Sequence, residues 1–271
     1  MRIAITLQPL EKKTKVPINY QYPLSGAIYR ILSNASSEYA SWLHDKGYLS
    51  AAGKPMKLFT FSRLEIPAPE RLFNVLIIKK PVPCRLYVSS PMIDEFVQHF
   101  VTGLFQDEEI VIGNPHTVAR FRVESVETLP DPEFIPEMNM YCLSPVVVST
   151  MHERNGRVYP YYLRADDDRL SEMIQTNAVS KYKLIYGHPP ENKSIAFQLD
   201  RGYVERKGGP DKISKLIRIK EWNEKERVDV KAFLAPFTLS GDPELIRCVY
   251  ECGIGEKNSI GFGMISVASE K

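Results

Sequence analysis

Cysteine is scarce, with Cys84, Cys142, Cys248 and Cys252 scattered through 271 residues. Cys248-x-x-x-Cys252 fits one helical face, but no second ligand pair lies near it, and closed zinc sites need four ligands. Reduced, cytosolic thiols are therefore expected. The five histidines stand apart in sequence and form no metal pattern, and there is no Gly-x-Ser-x-Gly elbow. These absences predict neither a metal nor a cofactor and argue against a serine hydrolase. No apolar run approaches the roughly 18 residues a spanning helix needs, so no membrane partner is expected. The opening residues read directly as strand rather than as a targeting peptide, which makes the cytoplasm the expected location. Net charge is only +2, so a nucleic-acid binder would have to gather its cations on one face.

What the chain does have is enough apolar sequence, 44%, to bury the core of one large domain or two ordinary ones. It also has an unusual glycine cluster near the end, Gly253-Ile254-Gly255-Glu256-Lys257-Asn258-Ser259-Ile260-Gly261-Phe262-Gly263. Glycines at that density admit positive φ and close approach, and successive N–H groups can cradle an anion. A helix from Asp242 to Cys252 precedes it and a strand from Met264 to Ala268 follows. The dinucleotide fingerprint needs strand first and helix second, so it is excluded. A helix stop with a turn and a phosphate cradle both remain open on local sequence.

Met1–Gln8 alternates, with Ile3, Ile5 and Leu7 on one face, and predicts a half-buried strand. Tyr22–Ser33 predicts a helix with Leu24, Ala27, Ile28, Ile31 and Leu32 inward, and with Tyr29 on the flank shared by Tyr22 and Ser25. A short helix over Ser36–Lys46 follows, capped by Ser36 or Ser37 and ended by Gly47, which puts His44 in its last turn. Strands are predicted over Lys57–Leu64, Phe73–Ile78, Arg85–Val88, Ile110–Ile112 and Val118–Val126. A helix from Pro91 to Phe105 is predicted with Ile93, Phe96, Val97, Phe100, Val101 and Leu104 inward. The proline-rich stretch from Leu129 to Pro136 reads as a stiff linker. Beyond it Met140–Ser149, Ile195–Leu199, Lys215–Trp222 and Arg227–Leu234 predict strands, and Asp166–Tyr182 and Pro243–Cys252 predict helices. The expected architecture is α+β: two tandem ferredoxin-like domains, 1–128 and 139–271, joined by a linker at 129–138.

His99, His116, His152 and His188 read as surface residues. His44 differs in its company, because Tyr29 precedes it by one helix and Lys57 opens the strand beyond a glycine-rich loop. Arg218 and Lys220 alternate with Ile217 and Ile219 in Lys215–Trp222, a strand face that is either simply solvated or available to phosphates.

The loop Gly253–Gly263 with Met264 resembles the glycine-rich signature of the RAMP superfamily of CRISPR-associated RNA-binding proteins. Lys15-Val16-Pro17-Ile18-Asn19-Tyr20-Gln21-Tyr22, the helix through Tyr29, and Leu43-His44 with Lys57-Leu58-Phe59-Thr60 resemble one branch. That branch is the sixth CRISPR-associated protein family, the endoribonuclease of CRISPR repeat transcripts. The resemblance implies RRM-like domains and a catalytic trio of Tyr29, His44 and Lys57. The implied reaction is metal-independent attack of a ribose 2′-hydroxyl on the adjacent phosphate, giving 2′,3′-cyclic phosphate and 5′-hydroxyl ends. His44 would move protons, Lys57 would stabilise charge, and Tyr29 would orient. RNA would be held by Gly253, Gly255, Lys257, Asn258, Ser259, Gly261 and Gly263, with Arg218 and Lys220. The loop is expected to pack beside Tyr29 and His44. The connection Gly47–Met56 is longer than in the family member it is compared with, which leaves Lys46 or Lys54 as rivals to Lys57. Implied partners are repeat RNA, guide RNA and other effector subunits. A homodimer stays open, and the alternative function is a non-catalytic RAMP subunit that holds guide RNA.

Overall fold

The structure is a computed structural model and describes residues 1–51, 53–154 and 156–268. Its first unit contains β1 (Arg2–Pro9), α1 (Gln21–Ala35), α2 (Ser37–Asp45), β2 (Thr60–Phe61), β3 (Cys84–Ser89), α3 (Gln98–Asp107), β4 (Glu109–Asn114) and β5 (Thr117–Leu129). These strands form one antiparallel sheet in the order β2-β3-β1-β5-β4. The second unit contains β6 (Glu137–Cys142), α4 (Leu170–Tyr186), β7 (Ile195–Leu199), β8 (Phe237–Gly241), α5 (Pro243–Cys252) and β9 (Ile265–Val267). Its antiparallel order is β7-β8-β6-β9. Set aside α2 and β4, and both units read strand-helix-strand-strand-helix-strand with the first strand inside the sheet. The chain is thus two tandem ferredoxin-like domains, as its sequence predicts.

Periodicity explains the cores. Ile3, Ile5 and Leu7 of β1 meet Leu24, Ile28, Ile31 and Leu32 of α1 in one apolar cluster. Ile174 and Ala178 of α4 join Leu245, Ile246 and Val249 of α5 in the other. The opposite face of β1 is also buried at its start, contrary to a half-buried strand, because the second unit covers it. The Arg2 guanidinium donates to the carbonyls of Tyr250 and Ile265 at 3.0 and 2.8 Å and lies 3.7 Å over the Tyr250 ring.

Several predicted elements are shorter, divided or shifted. Leu58 takes φ 51, so only Thr60–Phe61 of the Lys57–Leu64 segment pairs as strand. Phe73 takes φ 48 at a hairpin tip between Glu70–Leu72 and Val75–Ile78, and its side chain is 87% exposed. That hairpin pairs with Thr14–Pro17 in a separate sheet. The Pro91–Phe105 helix begins instead with a π-helical turn, Ile93–Val97, which leaves Ile93 exposed. Met140–Ser149 is not one strand: β6 ends at Cys142, Val146 bridges Phe233, and Ser149–Arg154 pairs with Arg157–Tyr162. The fourth helix starts at Leu170 rather than Asp166 and runs on to Tyr186. Lys215–Trp222 stops at Ile219, because Lys220 turns to φ 53.

Candidate active site

The corner that carries the proposed chemistry is built by the end of α2. Ser36 starts this helix by accepting from the Tyr39 N–H at 3.2 Å, and the Lys46 and Gly47 N–H groups close it on the Trp42 carbonyl at 2.9 Å. His44 is consequently held in the last turn with its side chain 68% exposed. Its Nδ1 lies 2.9 Å from an Asp45 carboxylate oxygen, an arrangement that fixes the ring's direction. Tyr29, on α1, meets His44 edge-on with ring centroids 5.2 Å apart, and meets Phe59 in the same way at 5.9 Å. Lys57 returns from the loop and donates from Nζ to the His44 carbonyl at 2.7 Å. The structure thus brings together Tyr29, His44 and Lys57. Of the rival lysines, Lys54 is tied to Glu256 at 2.6 Å, and Lys46 is exposed at the helix end.

Burial tunes two of the three groups. It raises the Tyr29 hydroxyl well above its ordinary pKa, opposed in part by a hydrogen bond with the Ser259 side chain. A phenol so placed keeps its proton and acts as a donor, not a base. Burial also lowers the Lys57 ammonium, with the Asp45 carboxylate working against it.

The glycine loop lies beside this corner, as expected. Ser25 on α1 donates to the Ser259 carbonyl at 2.7 Å, and Thr60 on β2 donates to the Phe262 carbonyl at 3.0 Å. Two of its glycines are explained by close approach of backbone to backbone. A Cβ on Gly263, at φ 75, would stand 2.0 Å from the Ile254 carbonyl oxygen, and one on Gly255 would stand 2.3 Å from that of Val147. Gly253 and Gly261 are crowded by side chains instead, Asn258 with Thr60 from 2.5 Å and Phe61 with Gln21 from 2.8 Å. All four glycines are buried.

Asn258 is spent inside the loop, where its Nδ2 donates to the Ile254 and Phe262 carbonyls at 3.2 and 3.0 Å. Its Oδ1 accepts from Lys181, a residue that the sequence reading did not single out. The Lys181 ammonium, 3% exposed, donates to the carbonyls of Gly253 and Gly255 and to Asn258 at 2.6, 2.7 and 2.8 Å. Three protons meet three acceptors. Burial depresses its pKa, opposed by the nearby thiols of Cys252 and Cys248. A signal was present: Lys181 falls seven residues after Ile174 and three after Ala178, on the buried stripe of α4.

Glu256, Lys257, Ser259 and Ile260 are the loop side chains partly open to solvent, with Lys257 at φ 59 and its pKa lowered by burial. Between Lys257, Ser259 and Lys57 lies a cleft of about 150 Å3 that Asn177 and Lys181 also line. Arg218 and Lys220 lie elsewhere, on the hairpin of Ser214–Ile219 and Val228–Phe233, and both face carboxylates. Arg218 is 3.8 Å from Asp229, and Lys220 is 2.5 Å from Glu226. Among the described residues no group of three or more His, Cys, Asp or Glu side chains is placed to hold a metal, and no helix is long and apolar enough to cross a membrane.

Comparison with known proteins decides the family. The profile described as CRISPR associated protein Cas6, C-terminal, matches residues 129–267, and that for CRISPR-associated protein Cas6, N-terminal, matches residues 15–127. The chain belongs to the Cas6 family. A CRISPR-associated endoribonuclease Cas6 from Methanocaldococcus jannaschii is 30% identical over 276 residues, covering all of this chain and 94% of the relative. A Cas6 endoribonuclease from Pyrococcus furiosus is 27% identical, covering all of this chain and 91% of its own. Among solved structures, a Cas6-related protein from Pyrococcus furiosus superposes with a TM-score of 0.79 at 25% identity, over 100% of this chain and 99% of that one. Another Cas6 structure gives 0.75 at 29% identity, with 99% of both chains covered.

Proposed function

We propose that the chain cuts CRISPR repeat RNA in precursor transcripts to release guide RNAs, and that Tyr29, His44 and Lys57 carry the reaction. Endoribonuclease activity comes with membership of the Cas6 family. The observation that supports the site is one corner in which the Tyr29 and His44 rings meet and the Lys57 ammonium reaches the His44 carbonyl, from α1, the end of α2 and the loop before β2.

The nucleophile in this reading is the ribose 2′-hydroxyl, which forms a bond to the adjacent phosphorus while the 5′-oxygen leaves. The products are a 2′,3′-cyclic phosphate and a 5′-hydroxyl. With Nδ1 facing Asp45, the Nε2 of His44 is left to take the 2′-hydroxyl proton when neutral or to give one to the leaving oxygen when charged. Lys57 spends one N–H on the His44 carbonyl and keeps two for the phosphate oxygens, where negative charge builds. Tyr29, protonated and steadied by Ser259, donates to and orients the phosphate. His44 and Lys57 supply the proton transfers and the charge stabilisation, so the reaction needs no metal ion.

The test is incubation with cognate repeat RNA in chelator, with mapping of both product ends. Cyclic phosphate and 5′-hydroxyl ends are expected. A wild-type chain that binds the repeat and never cuts it would be a guide-holding subunit instead, and cleavage that survives His44→Ala would overturn the site.

A further inference from the structure

α1 carries a residue that neither its packing nor the cleavage corner uses. Gly26 is interior to the helix and exposed, and a Cβ placed on it would meet nothing within 4 Å. A helix-interior glycine is destabilising relative to alanine, and no close approach requires one here. Its neighbours are chemically pointed. Tyr22 lies four residues before it, and Tyr29 and Arg30 lie three and four after it, so the four share one strip of the helix surface. At one end of the strip Tyr29 touches His44. At the other, Tyr22 faces Trp222 of the second unit, with ring centroids 5.9 Å apart and planes tilted by 44°.

Both rings are half-buried, and the Lys220 ammonium lies 5.7 Å from the centre of the Tyr22 ring. Two of the carboxylates at this end are engaged, Glu226 with Lys220 and Glu221 with the Asn19 amide at 2.6 Å, and Glu224 stands exposed. Arg30 is exposed and makes no ion pair among the described residues. Seven residues separate the two tyrosines, about 10 Å along the axis, the span of a nucleotide or two.

We propose that this strip is the track of the RNA strand next to the cut. The backbone crosses the bare helix surface at Gly26 with a phosphate near Arg30, and a flanking base enters the Tyr22–Trp222 pair. Aromatic faces and a free guanidinium are the parts from which single-strand sites are made, and such stacking tolerates any base. Any side chain longer than a methyl at position 26 would stand in the path. The proposal deepens the endoribonuclease reading and rests on it.

The test uses the full chain with His44→Ala to prevent cleavage and Trp42→Phe to leave Trp222 as the sole tryptophan. Single-stranded cognate repeat RNA is titrated while Trp222 emission is followed, and binding is measured in parallel by gel shift. Saturable quenching of Trp222 is expected. Gly26→Ala should melt no lower than its parent and bind as tightly, whereas Gly26→Leu, equally well folded by melting, should bind at least tenfold more weakly. Trp222→Ala should lose affinity comparably. Binding without any change in Trp222 emission would overturn the track and leave the cleavage reading intact, as would equal affinity of the Gly26→Ala and Gly26→Leu chains. Failure of the wild-type chain to bind repeat RNA would sink the functional reading, and the track with it.

Discussion

The two units share one frame and use the polar side chains around the corner and the glycine loop in opposite ways. In the first, His44, Lys57 and Arg30 face solvent or the cleft, and His44 and Lys57 are each anchored at one point. In the second, Lys181 and Asn258 are buried and every hydrogen bond they make is internal. Arg218 and Lys220 are exposed but face carboxylates. On the proposed reading the first unit presents chemistry, and the second holds the backbone that positions it. The glycine loop belongs to the second kind, even though it ends beside Tyr29.

The largest effects should separate the two roles cleanly. His44→Ala is expected to slow single-turnover cleavage about 10²–10⁴-fold, the usual worth of a positioned acid or base. Because His44 is 68% exposed, thermal melting should stay where it is. A parallel loss of stability would mean that the corner is structural as well.

Lys181→Met is expected to do the reverse. It orphans three acceptors in a buried loop, each costing about 1–3 kcal/mol, so unfolding free energy should fall by about 3 kcal/mol or more. Cleavage should fall only as far as the loop loosens its hold on Ser259 and Tyr29. Denaturant unfolding followed with cleavage on one preparation checks both. Unchanged stability would show that the loop does not depend on this lysine.

The contrast also explains what the sequence could disclose. The strand of Ile3, Ile5 and Leu7, the amphipathic α1 and the Ser36-to-Gly47 frame of α2 are local patterns, and all three are present in the fold. The approach of His44 to Tyr29 follows from them, because a capped helix end and a flank position are both set within a few residues. The engagement of Asn258 by Lys181 joins residues 77 apart and has no local signature beyond a charge on an apolar stripe. The strand breaks at Leu58, Phe73 and Lys220 were illegible for another reason. Each is a non-glycine residue held at positive φ, a conformation no local propensity announces.

A smaller effect sharpens the picture of Lys57. Burial lowers its pKa, so its proton is lost at a lower pH than from a free lysine. If the charge acts on the phosphate, cleavage should decline as pH rises through that depressed value, below 10.5. Lys57→Arg keeps its charge throughout and should push the alkaline limb upward. Lys57→Ala should cost about 10²–10³-fold in rate. An alkaline limb that does not move in the arginine variant would assign it to another group.

The finest distinction lies between a free cation and a paired one. Each phosphate contact to a single strand contributes about 0.7 to the slope of log affinity against log salt. Arg30 has no carboxylate to leave among the described residues, so Arg30→Gln should reduce the slope by about that much. Arg218 lies 3.8 Å from Asp229, and the Arg227 guanidinium lies at the same distance from that carboxylate. Any phosphate must therefore compete with Asp229, and Arg218→Gln should reduce the slope by less. Binding isotherms at several salt concentrations decide it. Equal reductions would mean that the hairpin's carboxylates do not hold its cations back, and the division between the two units would then end at the buried lysine.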